Sequence, residues 1–130
     1  MGKLNASEII DLVEKLYFRS VDTKNLDQVL NCFAEDASLT VKTAGVTYRG
    51  RDAEIRSMFE NVMKDIASIY HGDFCHVIDV ENQRIASQFL VKNGYDDGTH
   101  EEKRNCNFFE IQNGIFSSVS VYMTGENTLA

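Results

Sequence analysis

His76 is the residue in this sequence whose surroundings most favour acid–base chemistry. In a β-strand its side chain points to the same side as those of Phe74 and Ile78, because residues two apart share a face. Burial among apolar groups disfavours a charged imidazolium, and a neutral ring is what a general base near pH 7 requires. A hydrogen-bonded histidine in the protein core is the alternative, and it is the more common arrangement.

Other polar residues are candidate ligand contacts. Tyr17 lies in a helical apolar pattern, where its hydroxyl could donate to a ligand oxygen or belong to an aromatic core residue. Asn107 or Asn105 could bind a polar ligand group or satisfy backbone groups at a sheet edge. Ser87 could bond a ligand or His76 itself. The Gly-x-Ser-x-Gly turn of a nucleophilic serine is missing, so a hydrolase triad is not supported.

Metal chemistry is not indicated by the sequence. Cys32, Cys75 and Cys106 are widely spaced and odd in number, so we expect buried thiols rather than a disulfide or a zinc site. The acidic pairs Asp96–Asp97 and Glu101–Glu102 lie in a polar stretch, and we interpret them as the solvated face of a loop rather than as a metal site. We therefore expect neither a metal nor a cofactor.

Length and charge narrow the class of protein. The chain has 130 residues, 43% of them apolar, which suffices for one compact domain over residues 1–130. With 13 basic and 20 acidic residues the net charge is -7, so nucleic acid and anionic membrane surfaces are not expected partners. No export signal and no run of 18 apolar residues occurs, which leads us to expect a cytoplasmic protein that does not enter a membrane.

The elements that must position these residues begin with helices. Apolar residues recur at helical spacing from Asn5 to about Val21, from Leu26 to near Ala34, and from Ile55 to Ile66. Asn5 and Glu8 can form a capping box at the first of these helices, and Ile9, Ile10, Val13, Leu16, Tyr17 and Ser20 mark its apolar face. Two short strands, Leu39–Lys42 and Val46–Arg49, form a hairpin before the third helix.

After Ser68 the apolar period changes to two, which predicts strands. Ile69–Val80 and Arg84–Asn93 form one hairpin, and Lys103–Gln112 and Ile115–Met123 form a second through Asn113–Gly114, a strong hairpin signal. The chain is therefore expected to be an α+β protein with four long antiparallel strands and a short hairpin beside three N-terminal helices.

Hairpin register predicts which side chains share a face. A turn at Asn82–Gln83 pairs His76 with Phe89 and places Phe74 on the same, almost wholly apolar face. The turn at Asn113–Gly114 pairs Ile111 with Phe116 and Asn107 with Ser120. Both faces of this second hairpin carry large apolar groups. One face therefore covers the helices and the other meets a second subunit, but parity does not say which.

Five short motifs resemble one known family when read in order. They are Asp22-x-x-Asn25-Leu26-Asp27, Phe33-Ala34-Glu35-Asp36-Ala37, Tyr48-Arg49-Gly50-Arg51-Asp52-Ala53-Glu54-Ile55, Asn113-Gly114-Ile115-Phe116 and Val121-Tyr122-Met123. The first three resemble the opening of the nuclear transport factor 2-like superfamily, and the last two resemble the end of its SnoaL-like members. The resemblance implies a cone, in which a strongly curved antiparallel sheet wraps around three helices, with a pocket at the wide end and dimerisation through the outer sheet face.

That superfamily includes ketosteroid isomerases, polyketide cyclases, dehydratases, epoxide hydrolases and non-enzymatic binding or transport proteins, so the fold leaves function open. Compared with a ketosteroid isomerase, Tyr17 matches the tyrosine of the first helix and Asn107 lies near the second oxyanion donor. The position of the catalytic aspartate falls on Val41. A standard ketosteroid isomerase mechanism is therefore not expected.

The leading expectation is a homodimeric pocket protein that binds a small apolar or aromatic molecule with a polar group. Its expected contacts are Tyr17, His76, Asn107, Ser87, Phe74, Phe89 and Tyr48. The first alternative is an isomerase, cyclase or dehydratase acting on a carbonyl compound, with His76 as general base and Tyr17 and Asn107 steadying the enolate oxygen. The second alternative is a protein-interaction or transport module that uses the outer sheet face.

Overall fold

The first helix, α1, covers residues 6–22. The computed structural model describes residues 2–130, and α1 consists of Ala6–Asp11, a π-helical stretch Leu12–Phe18 and a last turn Arg19–Asp22. The side chain of Asn5 accepts a hydrogen bond from the Glu8 N–H (2.8 Å), and the Glu8 carboxylate accepts one from the Asn5 N–H (2.9 Å). This reciprocal pair is the predicted capping box, so the start of α1 is confirmed.

The π-helical stretch changes which side chains of α1 face the core. The Arg19 N–H donates to the Glu14 carbonyl, five residues back, so the helix is wider here than an α-helix. Leu12 and Phe18 are buried as a result, whereas Leu16 is 44% exposed. The expected place of Leu16 on the apolar face is therefore wrong, because the wider turn shifts the helical phase.

Two shorter helices and six strands follow α1. Their bounds are α2 Leu26–Asn31, β1 Phe33–Val41, β2 Val46–Arg49, α3 Arg56–Asp65 with a π-helical segment Gly50–Ile55 leading into it, β3 Ser68–Asp79, β4 Arg84–Gly94, β5 His100–Gln112 and β6 Ile115–Tyr122. The second helix ends before the expected Ala34 because the chain is already extended at Phe33. Within residues 2–130, no helix is long and apolar enough to cross a bilayer.

All six strands form one curved, unclosed sheet in the order β2-β1-β6-β5-β4-β3. The three helices cover one face, called here the inner face, and the opposite face is the outer face. These observations confirm the α+β class with a curved sheet around three helices. The expectation of a wholly antiparallel sheet is wrong at one pairing. Strand β1 runs parallel to its neighbour β6, the last strand of the chain.

The hairpin of β3 and β4 has a longer turn than expected. Asp79 pairs with Arg84, and the Asp79 carboxylate accepts hydrogen bonds from the backbone (3.1 Å) and the side chain (2.8 Å) of Asn82. This arrangement stabilises a four-residue loop and moves the register by two, so His76 lies opposite Ser87. A two-residue shift leaves each side chain on its original face, so the expected inner face of the hairpin is retained.

A β-bulge in β3 brings both of its central histidines to the inner face. The register slips between Gly72 and Cys75, where Asp73 has a positive φ of 54°. His71 and His76 differ in parity, and strict alternation places them on opposite faces. The bulge reverses the alternation between them, so both rings lie on the helix side of the sheet.

A second bulge, in β6, decides which face of the last hairpin meets the helices. Ile111 pairs with Phe116, as predicted, but Asn107 pairs with Val121 and not with the residue before it. The extra residue turns Val119 and Val121 inward, and both are buried. The sequence pattern looked apolar on both faces because the alternation changes phase within the strand.

Candidate functional site

The inner face of β5 changes character along the strand. Near its C-terminal end Phe109 and Ile111 are buried, and the Phe109 ring centroid lies 5.8 Å from that of Tyr17. Closer to its start, the buried inward side chains are polar: Lys103, Asn105 and Asn107. Because buried polar groups need hydrogen-bond partners, this half of β5 is a candidate site.

A cavity of about 50 Å³ lies between the polar half of β5 and the helices. Most of its wall is apolar, and its polar lining residues are Tyr17, His71, Asn93, Asn105, Asn107 and Thr128. This volume accommodates a few ordered waters. It is well below the roughly 300 Å³ at which small-molecule pockets usually begin, so a larger occupant requires a wall to move.

Two asparagines at the cavity have unsatisfied side-chain oxygens. Asn93 and Asn107 are each 3% exposed, and among residues 2–130 neither Oδ1 atom has a hydrogen-bond partner. A buried acceptor left unpaired costs about 1–3 kcal/mol. Both oxygens therefore call for a donor inside the cavity, either a water molecule or a bound compound.

His71 forms a pair with a carboxylate at the cavity wall. Its Nδ1 atom lies 2.5 Å from Oδ1 of Asp22, and its backbone N–H donates to Oδ2 of Asp22 (2.9 Å). An ionised carboxylate only accepts hydrogen bonds, so Nδ1 carries the proton and Nε2 keeps the lone pair in the neutral ring. A carboxylate that orients an imidazole in this way is a recurrent feature of general-base sites.

The structure places His76 away from the cavity. Its Nε2 lies 2.5 Å from Oε2 of Glu14 and its Nδ1 lies 2.8 Å from Oγ of Ser87. The ring also stacks on Phe74, with centroids 5.6 Å apart. In the described part of the chain His76 is not among the residues that line the cavity. The expectation that His76 contacts a ligand in the pocket is therefore wrong. The cause is α1, which places Glu14 over this part of β3.

The chain from Glu14 through His76 to Ser87 has the hydrogen-bond order of a hydrolase triad. However, Ser87 is 0% exposed, and within residues 2–130 it does not line the cavity. A nucleophile must reach its substrate, and this hydroxyl is closed off by packing. We therefore interpret the three residues as a polar contact that ties α1 to the sheet.

Of the other expected contacts, Tyr17 and Phe89 line the cavity together with Asn107. Burial, with a smaller effect from neighbouring Cys32, raises the pKa of Tyr17 well above its ordinary value, so its hydroxyl stays protonated and can donate. Tyr48 instead donates to the Leu129 carbonyl (3.1 Å). Val41, at the position of the ketosteroid isomerase base, is fully buried in the core.

The C-terminal residues form one wall of the cavity, which the sequence did not indicate. Thr128 and Leu129 contribute to its lining. The Lys103 ammonium donates to the carbonyls of Thr124 (2.6 Å) and Glu126 (2.8 Å), and the Thr124 N–H donates to Oδ1 of Asn105 (3.3 Å). Polar contacts therefore hold this segment in place.

Besides Thr128, two polar residues of the cavity, His71 and Asn93, were missed in the sequence. His71 was missed because strict alternation along β3 predicts that it points to the outer face. The bulge at Asp73 turns it to the inner face. Asn93 had a detectable signal, since it has the parity of Phe89 and Val91 on the inner face of β4. Within residues 2–130 no group of three His, Cys, Asp or Glu side chains could hold a metal ion.

Comparison with known proteins gives a family and a fold. A family model described as a SnoaL-like domain matches residues 4–103. A candidate polyketide cyclase from Xanthomonas campestris pv. campestris superposes with a TM-score of 0.79 and 20% identity, covering 92% of both chains. A candidate isomerase from Bacillus subtilis gives a TM-score of 0.81 at 12% identity, covering 93% of this chain and 90% of that one.

A third solved structure, an LEH-like epoxide hydrolase from M. tuberculosis, gives a TM-score of 0.76 at 12% identity over 90% of this chain and 83% of that one. No curated protein matches the sequence. Because the structural matches have low identity, they establish the architecture and leave the chemistry to be argued from the cavity.

Proposed function

The chain belongs to the SnoaL-like domain family, and we propose that its cavity binds a small, mostly apolar molecule that carries a hydrogen-bond donor and an acceptor. The observation that carries this proposal is the Oδ1 atom of Asn107, which is buried at the cavity without a partner in residues 2–130. A ligand hydroxyl supplies the missing donor. Tyr17, whose hydroxyl stays protonated, supplies a donor to a ligand carbonyl or ether oxygen.

A ligand of this kind requires a larger space than the 50 Å³ of the cavity. We infer that the C-terminal segment is the wall that moves, because hydrogen bonds to Lys103, Asn105 and Tyr48 anchor it and it belongs to no helix or strand. Displacement of Leu129 widens the cavity. The ligand then replaces this side chain against the apolar lining.

Thermal unfolding with 6-hydroxy-2-tetralone, 4-hydroxybenzophenone and testosterone, each of which carries a hydroxyl and a carbonyl, tests the proposal. A compound that binds only the folded protein raises the unfolding temperature, and Asn107→Leu should reduce that rise. Asn61→Leu, at an exposed position on α3, is the matched control and should respond like the wild type. If none of the three compounds stabilises the wild-type protein, the cavity holds water only and the binding proposal fails.

A second candidate function is favoured by the Asp22–His71 pair. We propose that a bound carbonyl compound loses a proton from the carbon beside the carbonyl to Nε2 of His71, while Tyr17 donates to the developing enolate oxygen. Isomerisation, cyclisation and dehydration all begin with such a step. In this proposal His71 takes the role that the sequence suggested for His76.

We further propose that the outer sheet face pairs with a second copy of the chain. Val77 is 74% exposed and Phe108 is 51% exposed, and cross-strand pairing through Ala86 places them in one row. The exposed ion pair Arg84–Glu110 (3.2 Å) flanks this row and offers both charges to a symmetric partner.

Cys75 also lies on the outer face and is exposed, so the expectation that all three thiols are buried is wrong for this residue.

A further inference from the structure

Asn93 is held in a fixed orientation by a carboxylate on the neighbouring strand. It pairs with Glu101 in the β4–β5 ladder, so both side chains project from the same face. The Nδ2 atom of Asn93 donates to Oε1 of Glu101 (3.2 Å). An ionised carboxylate has no hydrogen to give, so the amide must present its NH₂ group to Glu101 and its oxygen to the other side.

Tyr95 supports Glu101 in this arrangement. Its hydroxyl donates to the same Oε1 atom that accepts from Asn93. Desolvation, followed by this hydrogen bond, raises the pKa of Tyr95 to about 12, so the phenol remains a donor at neutral pH. The two hydrogen bonds to Oε1 fix the rotamer of Glu101. The fixed carboxylate in turn fixes the orientation of the Asn93 amide.

The oxygen of Asn93 is therefore an obligatory acceptor at the cavity. The side chain is 3% exposed and lines the cavity, and in residues 2–130 its Oδ1 atom has no donor. Asn107, the other unpartnered acceptor, lies beside Ser87 on the β4–β5 ladder, six residues along β4 from Asn93. The cavity therefore presents acceptors at two separate places.

We propose, on the premise that the cavity binds a small molecule, that Asn93 determines specificity by accepting a hydrogen bond from a second hydroxyl or N–H group of the ligand. The substrate class is a mostly apolar compound with donors at two positions, such as an aromatic diol. A compound that carries an ether or carbonyl oxygen in place of the second donor meets the Asn93 oxygen with another acceptor and is rejected.

Aromatic diols and their monomethyl ethers test this inference. We would measure dissociation constants by calorimetry for 2,6-dihydroxynaphthalene, 4,4′-dihydroxybiphenyl and 4,4′-dihydroxystilbene, which span three increasing hydroxyl spacings, and for the matching monomethyl ethers. For at least one of these spacings, the wild-type protein should bind the diol about tenfold more tightly than the ether, since an acceptor left unpaired is costly. Asn93→Leu should bring that ratio close to one.

Glu101→Gln is the sharper variant because it leaves Asn93 in place. A glutamine can donate as well as accept, so the Asn93 amide is free to turn its NH₂ group toward the ether, and the ratio should fall because the ether binds better. Glu102→Gln makes the same chemical change at the exposed neighbouring residue and should keep the wild-type ratio.

The outcomes separate the two proposals. If no diol and no ether binds the wild-type protein, the proposed binding function itself is wrong. If both bind with equal affinity, the cavity binds small molecules but Asn93 does not select them. A ratio that survives Asn93→Leu, or that changes equally in Glu101→Gln and Glu102→Gln, also overturns the role of Asn93.

Discussion

The Nδ1 atom of His71 lies 2.5 Å from Oδ1 of Asp22, where the end of α1 meets the edge strand β3. The second oxygen of the same carboxylate accepts the His71 backbone N–H at 2.9 Å, so Asp22 holds both the ring and the backbone of one residue. This contact assigns the ring proton to Nδ1. It also joins the first helix to the sheet beside the cavity.

Replacing Asp22 with Asn is expected to reverse the tautomer of His71. The amide can donate its NH₂ group to Nδ1, so the ring proton moves to Nε2. Nitrogen-15 NMR of the histidine ring distinguishes the two forms, and urea unfolding should show a loss of about 1–2 kcal/mol. Asp11→Asn, in the exposed pair with Lys15, is the control. The same tautomer in wild type and Asp22→Asn contradicts this prediction.

The two histidines of β3 should differ in their effect on proton transfer. In D₂O, wild-type protein should accelerate α-proton exchange of 2-tetralone, measured by proton NMR. His71→Gln should lower this rate by roughly a hundredfold to ten-thousandfold. His76→Gln should leave it nearly unchanged, because Glu14 and Ser87 occupy both ring nitrogens of His76. Exchange lost in His76→Gln and retained in His71→Gln would reverse the assignment.

Tyr17 should make the protein less stable at alkaline pH. Burial, and secondarily Cys32, raises its pKa in the folded state above the ordinary value of 10.0. Its contribution to stability is therefore complete below pH 10 and is lost as the pH rises from there toward the folded-state pKa. When the pH is raised from 9 to 11, the free energy of unfolding falls in both proteins. The fall should be about 1 kcal/mol smaller for Tyr17→Phe than for the wild type.

Two other tyrosines serve as comparisons for the loss of stability at alkaline pH. Tyr95 also has a raised pKa, about 12, and contributes with the same sign, so the wild-type loss includes both residues. Tyr122→Phe, at an exposed position, should behave like the wild type in urea unfolding at both pH values. Equal losses in the wild type and Tyr17→Phe mean that Tyr17 is not buried in the folded state.

Loosening the C-terminal wall should speed local opening without unfolding the protein. Lys103→Met keeps the length of the side chain but removes the donor to the Thr124 and Glu126 carbonyls. Amide hydrogen exchange over residues 125–130 should become about tenfold faster or more, since these are charged hydrogen bonds. Lys92→Met, at an exposed position, should exchange as the wild type does. Unchanged exchange in Lys103→Met rules out this anchoring role.

The outer sheet face should control the oligomeric state. Light scattering coupled to size exclusion should report a dimer for the wild type and a monomer for Phe108→Asp, because two carboxylates meet where two apolar rings packed. Leu16→Asp places the same charge on an exposed apolar position of α1 and should remain dimeric. A monomeric wild type contradicts the pairing of two copies through this face.

Local rules were sufficient for most of the secondary structure. The capping of α1 depends on Asn5 and Glu8, three residues apart, and the last turn depends on Asn113–Gly114, so both could be predicted from adjacent residues. The resemblance in motif order predicted the curved sheet around three helices. The same resemblance pointed to Tyr17 and Asn107, which line the cavity, whereas Phe89 lies on the face of the first long hairpin that the alternation predicted.

The rest of the site was decided by tertiary structure. One extra residue at a bulge moves every later side chain of the strand to the opposite face of the sheet. Neither the bulge at Asp73 nor the one in β6 has a strong local signal in the sequence. The pairs Asp22–His71 and Glu14–His76 join residues that are about fifty and sixty positions apart. Such contacts depend on how α1 lies across β3. The sequence determined which elements form, but only packing decided which face of the last hairpin and which histidine meet the cavity.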